Sequence, residues 1–254
     1  MRNRLSHWVA RTQAERVITV SNHSCLDLVT SLHIPRERIS IIPEAADPNF
    51  HSPVSAAQRS DIRRQYGLSR SYVFYVGGWE QRKNIPFLLR ACAEAALSGV
   101  DLVLAGGRDE QKAELTRLAT ELGMADRVRL IGWVPDSDLP ALYSGALCFV
   151  YPSLYEGFGL QLCEAMAVGC PTLAARATCL PEVLGVGGDT FDPAEPCELA
   201  GLLRRVTGDP EYRRELSRRA VARSRDFCWQ STAEQTLEVY RRTVNAGEPV
   251  SIPA

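Results

Sequence analysis

From residue 72 to residue 174 short apolar runs alternate with stretches of helical periodicity, and this rhythm narrows the choice of fold more than any other feature. Residues 72–76, 102–105, 128–131, 147–150 and 172–174 read as strands. Between them, residues 85–97, 110–122, 137–143 and 160–168 read as helices. Strand, helix, strand at this spacing implies right-handed crossovers. The expected fold class is therefore α/β, a Rossmann-like parallel sheet with helices on both faces. Ahead of this region, residues 16–20 read as a strand, 25–32 as a helix and 38–42 as a strand. A polar connection over 43–60 and a short helix to Tyr66 follow. From Glu195 on, Pro210 and the break at Phe227-Cys228-Trp229 divide a charged region into three C-terminal helices.

The bulk properties exclude several classes. With 254 residues, 45% of them hydrophobic, the chain can bury a substantial core, as one large domain or two small ones. A formal net charge of −1 argues against a nucleic-acid binder, which carries a basic excess or stripe. No apolar run approaches the roughly 18 residues that span a bilayer, and the opening Met1–Trp8 lacks the apolar stretch of a signal peptide. The eight cysteines form no C-x-x-C pair and lie mostly in apolar segments. They read as small core residues in a reducing compartment, with no zinc site.

Chemistry concentrates where one strand turns into a helix. Glu156 and Glu164 bracket a Gly-rich turn, Gly157-Phe158-Gly159, running into the almost wholly apolar segment 160–168. A lone carboxylate in such a helix is expensive unless something pairs with it. A ligand with hydroxyl donors would, lying against a helix N-terminus whose free N–H groups suit a phosphate. The bland alternative is a helix-start charge at Glu156 and a structural arginine facing Glu164. Position favours the ligand, because residues 149–153 read as a buried strand ending in a turn, and open α/β sheets bind ligands at carboxyl ends. The expectation is a nucleotide-sugar site.

A second constellation is Gly77-Gly78-Trp79-Glu80-Gln81-Arg82-Lys83-Asn84. There a strand ends, two glycines admit a ligand close to the backbone, and two adjacent cations suit a diphosphate. In isolation this also reads as a solvated Arg-Lys turn. Gly106-Gly107 and Gly132-Trp133-Val134-Pro135 fall at further strand ends on the same expected side. As single motifs they are ordinary turns.

Together these residues resemble the retaining GT-B glycosyltransferases, in particular the group that includes bacterial mannosyl- and glucosyltransferases. The matching motifs are Glu156-x7-Glu164 with Gly-Phe-Gly-Leu inside it, Gly77-Gly78 followed by Arg82-Lys83-Asn84, and Gly132-Trp133-Val134-Pro135. Leu180-Pro181-Glu182-Val183 and Phe227-Cys228-Trp229 before a final helix add to them. The resemblance covers essentially the whole chain. It implies residues 1–43 as the tail of an acceptor-side domain, 44–226 as a nucleotide-sugar-binding Rossmann-like domain, and 227–254 as a C-terminal crossing helix and tail.

The resemblance also implies roles. Lys83, helped by Arg82, would stabilise the leaving nucleoside diphosphate. Glu156 would bind the donor sugar, and backbone N–H groups of Phe158, Gly159 and Leu160 would hold sugar hydroxyl and phosphate oxygens. Glu164 would take the ribose hydroxyls, while Gly77 and Gly78 let the donor approach and the backbone around Gly106, Gly107 and Val134 lines the base pocket. The resemblance implies no cofactor and no metal. The substrate would be a GDP- or UDP-linked sugar, its hexose (mannose is one candidate) passing to a glycan or lipid-linked acceptor. Two departures stand out. The first domain's glycine-rich loop and histidine have no counterpart, so a further domain or partner chain would supply the acceptor side. Gly78 stands where many members have an arginine facing the diphosphate. Two alternatives stay open: a nucleotide-sugar-binding module inactive without a partner chain, and a related GT-B sugar-nucleotide epimerase. The expected location is cytoplasmic, with attachment at the inner membrane face as a variant. Apolar Leu5, Trp8, Val9, Leu237, Val239 and Tyr240 suggest self-association or a covering partner.

Overall fold

The computed structural model describes residues 8–246. Its strands are β1 (Val17–Thr19), β2 (Ile39–Ile41), β3 (Ser71–Gly77), β4 (Val100–Gly106), β5 (Val128–Gly132), β6 (Cys148–Tyr151), β7 (Thr172–Ala175) and β8 (Asp189–Phe191). The last six form one parallel sheet in the order β5-β4-β3-β6-β7-β8. Strands buried on both faces read as apolar runs, and the centres of β3 and β4 do: Tyr72 through Tyr75 and Leu102 through Ala105 are all buried, while the buried Asp101 at the start of β4 is paired with Arg70 and Arg129. Helix Ile85–Ala95 packs against Asp109–Glu121 and Pro196–Gly208. Leu160–Ala167 packs against Leu139–Gly145 and Pro210–Ser224. These two groups are the layers that right-handed crossovers place on opposite faces of the sheet.

The strand order fixes where a ligand can sit. From β3 the chain builds outward to β5, then returns across the sheet to β6 and builds the other way. Neighbouring strands whose following connections leave in opposite directions open a crevice at their carboxyl ends. Here those strands are β3 and β6, the two that precede Lys83 and Glu156.

β1 and β2 pair with each other, apart from the main sheet, with helix Asn22–Leu32 between them and a small core of Cys25, Ile34 and Ile39. The connection beyond β2 joins the main core through Ala45, Ala46 and Phe50. Two elements were not legible beforehand. β8 is only three residues long and half-polar, and helix Leu180–Leu184 has only five residues. Six of the eight cysteines are buried as expected, whereas Cys197 and Cys228 are exposed. The final helix, Trp229–Ala246, is longer than its apolar pattern suggested; Thr232 donates to the Pro43 carbonyl at 2.7 Å. Leu237, Tyr240 and Val244 on it are exposed, as are Trp8 and Val9, while Val239 is half-buried. Leu5 lies outside the described residues. Among the described residues no helix is long and apolar enough to cross a membrane.

Candidate functional site

Lys83 and Glu156 meet across the crevice. Lys83 closes a 3-10 turn, Gln81–Lys83, after β3, and its side chain is only 8% exposed. Its Nζ lies 2.6 Å from Glu156 Oε1 and 3.3 Å from the Tyr151 hydroxyl at the end of β6. The other Glu156 oxygen faces Arg82, Nη1 to Oε2 3.0 Å. Each carboxylate oxygen thus has its own cation. The two loops are also joined by further hydrogen bonds: Leu154 N–H donates to the Arg82 carbonyl at 2.8 Å, and the Arg82 guanidinium donates to the Tyr155 carbonyl at 3.2 Å. Burial first, then the Glu156 charge, pushes the Tyr151 hydroxyl far above the usual phenol range. It therefore stays protonated and donates to Gln161 Oε1 at 2.9 Å.

Beside this ion triad starts helix Leu160–Ala167. Gly159 precedes it at φ +93°, and a Cβ there would come within 3.0 Å of Leu180 and 3.3 Å of the Tyr151 ring, so glycine is required. No side chain caps this end. Its first N–H groups are left for solvent or a ligand, at the positive end of the helix dipole. One turn in, Glu164 accepts from the Tyr143 hydroxyl at 2.8 Å. Its partner within the chain is thus a neutral phenol and not an arginine. A neutral donor does not fully offset the cost of burial, and the Glu164 carboxyl is raised above its ordinary value. Burial is the main cause; Tyr143 pulls it back down, and the charges of Asp136 and Asp47 push it further up.

The glycine loops line the same edge. Gly106 is paired with Gly77 in the β3–β4 register, and Gly107 N–H donates to Gly77 O at 3.1 Å. A Cβ on Gly106 would sit 2.3 Å from that carbonyl, and one on Gly107 would fall into the ring of buried Trp79. Gly78 faces the Glu80 carboxylate, which occupies the space a side chain at that position would need. Val134 is buried on the loop after β5, while its neighbour Trp133 is 77% exposed. The structure therefore gathers Gly77, Gly78, Arg82, Lys83, Glu156, Phe158, Gly159, Leu160 and Glu164 about the β3–β6 crevice. Gly106, Gly107 and Val134 lie one and two strands away. Among the described residues no group of three or more His, Cys, Asp or Glu side chains is placed to hold a metal ion.

Sequence reasoning missed Tyr143 and Tyr151, which hydrogen-bond Glu164 and Lys83, and Gln161, which accepts from Tyr151. Nothing in their apolar settings marks them, since each contact is made across the fold or one helical turn beyond a loop. It also missed the N-terminal unit's grip on the site loop. Ser21 and Ser24 hydroxyls donate to Gly157 O at 2.6 and 3.0 Å, and the Asn22 N–H donates to Glu182 Oε1 at 2.9 Å.

A family described as Glycosyl transferases group 1 matches residues 58–223. The O-antigen chain mannosyltransferase B of Escherichia coli is 33% identical over 232 residues, covering 90% of this chain and 61% of that protein. This chain spans about three-fifths or less of the curated relatives it matches first. Among solved structures, Anabaena Alr3699/HepE in complex with UDP and glucose superposes with a TM-score of 0.86 at 25% identity, covering 94% of this chain and 66% of that one. Sucrose-phosphate synthase from Thermosynechococcus elongatus superposes with a TM-score of 0.81 at 29% identity, covering 97% and 62%. Both confirm the fold as one half of the GT-B type, and the chain belongs to the Glycosyl transferases group 1 family.

Proposed function

We propose that this chain binds the nucleotide-sugar donor of a retaining hexosyltransferase. The observation that carries the reading is the Lys83–Glu156–Arg82 triad at the β3–β6 crevice, beside an uncapped helix N-terminus. In transfer from a sugar diphosphate, charge builds on the departing phosphate oxygens, so fixed cations and backbone dipoles supply most of the catalysis. Lys83 and Arg82 are those cations, and the N–H groups of Phe158, Gly159 and Leu160 are those dipoles. As the diphosphate takes up the cations, the Glu156 carboxylate is freed to accept from sugar hydroxyls beside the reacting carbon. Glu164 accepts from the two ribose hydroxyls, and the backbone of Gly106, Gly107 and Val134 borders the base. Retention of anomeric configuration and independence from metal follow from the family resemblance. UDP bound to HepE and the mannosyltransferase relatives support a UDP- or GDP-linked hexose, with mannose as the first sugar to try.

The acceptor, in this reading, is a glycan or a lipid-linked saccharide held by surface beyond the crevice. Ile18, Tyr240 and Val244 are exposed together along one concave surface, which supports a requirement for a covering domain or partner chain on that face. A thermal-shift panel of UDP, GDP, ADP and dTDP with their sugars, run with chelator, tests the donor reading. A ligand at ~100 times its dissociation constant stabilises the fold by about 2.7 kcal/mol. No shift with any nucleotide would remove the reading. Turnover of a nucleotide sugar by the 254-residue chain alone would remove the requirement for a covering partner.

A further inference from the structure

Among the described residues, four non-glycine residues adopt left-handed backbone conformations: His33, Asn84, Ala96 and Thr178. Three have local reasons. His33 and Ala96 close helix C-termini, where this conformation is usual. Asparagine, as at Asn84, enters it more readily than other residues. Thr178, at φ +49°, closes no helix, and a β-branched residue in this region is an outlier. Strain of this kind persists where the surroundings impose it, and it gathers at functional sites.

The surroundings here are the loop that carries Glu156. The Glu156 N–H donates to Thr178 Oγ1 at 3.2 Å. The next residue, Cys179, is fully buried, and its thiol donates to the carbonyls of Glu156 at 3.2 Å and Phe158 at 3.3 Å. Burial raises that thiol to about 11, so it stays a protonated donor at neutral pH. Residues 178–179 thus hold both the N–H and the C=O of Glu156. The side chain of Glu156 is held separately, by Lys83 and Arg82.

We infer that Thr178 is a positioning residue whose hydroxyl fixes the backbone of Glu156 for contact with the donor sugar, and that its strained conformation is retained for this contact. The inference rests on the donor reading above. It follows from what the diphosphate does: once phosphate oxygens draw Lys83 and Arg82 away, the backbone anchors alone set where the Glu156 carboxylate points. A scaffold residue would be improved by relieving the strain. A positioning residue would not.

The test compares the affinities of the 254-residue chain for GDP and GDP-mannose, and for UDP and UDP-glucose, by calorimetry. The readout is the ratio between nucleoside diphosphate and its sugar. Thr178→Gly releases the strain and removes the hydroxyl. It is expected to melt no lower than the parent while the sugar's share of affinity falls by about threefold to tenfold, the worth of one hydrogen bond. Thr178→Ser keeps the hydroxyl and is expected to preserve the ratio. Thr178→Ala keeps a side chain and loses the hydroxyl, and serves as the second variant should the glycine form fail to fold. An unchanged ratio in Thr178→Gly or Thr178→Ala, or equal loss in Thr178→Ser, overturns the inference. Glu156→Gln separates this from the parent reading: if it alters the ratio while the Thr178 variants do not, Glu156 reads the sugar and Thr178 does not position it. If Glu156→Gln leaves the ratio unchanged, or neither pair of ligands binds, the donor reading falls and the inference falls with it.

Discussion

The two glutamates of one motif, eight residues apart, sit in opposite electrostatic circumstances. Glu156 is almost completely paired: one cation on each oxygen, and a neighbouring loop tied to its own by a backbone hydrogen bond and the Arg82 side chain. Glu164 has a neutral phenol, two further acidic residues nearby and a carboxyl that burial raises above its ordinary value. A buried pair is expensive to break from one side, so the Glu156 end is held shut by charge until a competing anion arrives. The Glu164 end is held open, a strong acceptor short of donors. A nucleoside diphosphate sugar supplies an anion at the first end and hydroxyl donors at the second, which is why the asymmetry reads as a ligand's outline.

The largest expected effect breaks the paired end. Lys83→Ala leaves the largely buried Glu156 carboxylate with only the half-exposed Arg82, and should destabilise the fold by about 3 kcal/mol in urea unfolding. Adding Glu156→Gln to it should restore part of that loss, because the uncompensated charge goes too. A double variant as unstable as Lys83→Ala would mean the lysine acts through packing, and the charge argument would fail.

At the open end the same kind of change should act in the reverse direction on stability. Glu164→Gln should weaken nucleoside diphosphate binding by about 1.5–3 kcal/mol, since a charged acceptor of two hydroxyls is lost. Because folding raises the Glu164 carboxyl above 4.5, the folded state binds its proton more tightly than the unfolded one. Its contribution to stability is greatest in acid and declines as pH climbs from 4.5 through the raised value. Glu164→Gln should remove that decline and leave the protein more stable at pH 7, with weaker ligand binding. Parallel losses of stability and affinity would contradict this. Tyr143→Phe should have a smaller effect, about 1 kcal/mol on affinity, and should raise the Glu164 carboxyl further; a carboxyl that moves down instead would show that Tyr143 is not its donor. Smallest of all, replacing Tyr240 and Val244 with glutamate should abolish concentration-dependent association in sedimentation without changing nucleotide affinity.

The sequence carried the frame of this comparison and left out its particulars. Strands and helices from Ser71 to Ala175 were legible because parallel strands buried on both faces are uninterrupted apolar runs, and because glycines mark their ends. Arg82, Lys83, Glu156 and Glu164 were legible because charges and glycines clustered at strand–helix junctions. Their pairing was not, since Lys83 and Glu156 are 73 positions apart and meet only through the jump from β5 back to β6. Tyr143 gave no signal in an apolar helix. Thr178 was hidden for a different reason: Ala177-Thr178-Cys179 contains no glycine, so nothing announced a left-handed residue.

The central claim is that Lys83 answers to phosphate and not to base or sugar. The direct test is calorimetry with the preferred nucleoside diphosphate and its free nucleoside, in chelator, on the parent chain and Lys83→Ala. The account predicts a loss of roughly tenfold or more for the diphosphate, as expected for a hydrogen-bonded charge, with the weak nucleoside affinity nearly unchanged. Equal losses for both ligands, or binding that vanishes with chelator in the parent, would contradict it.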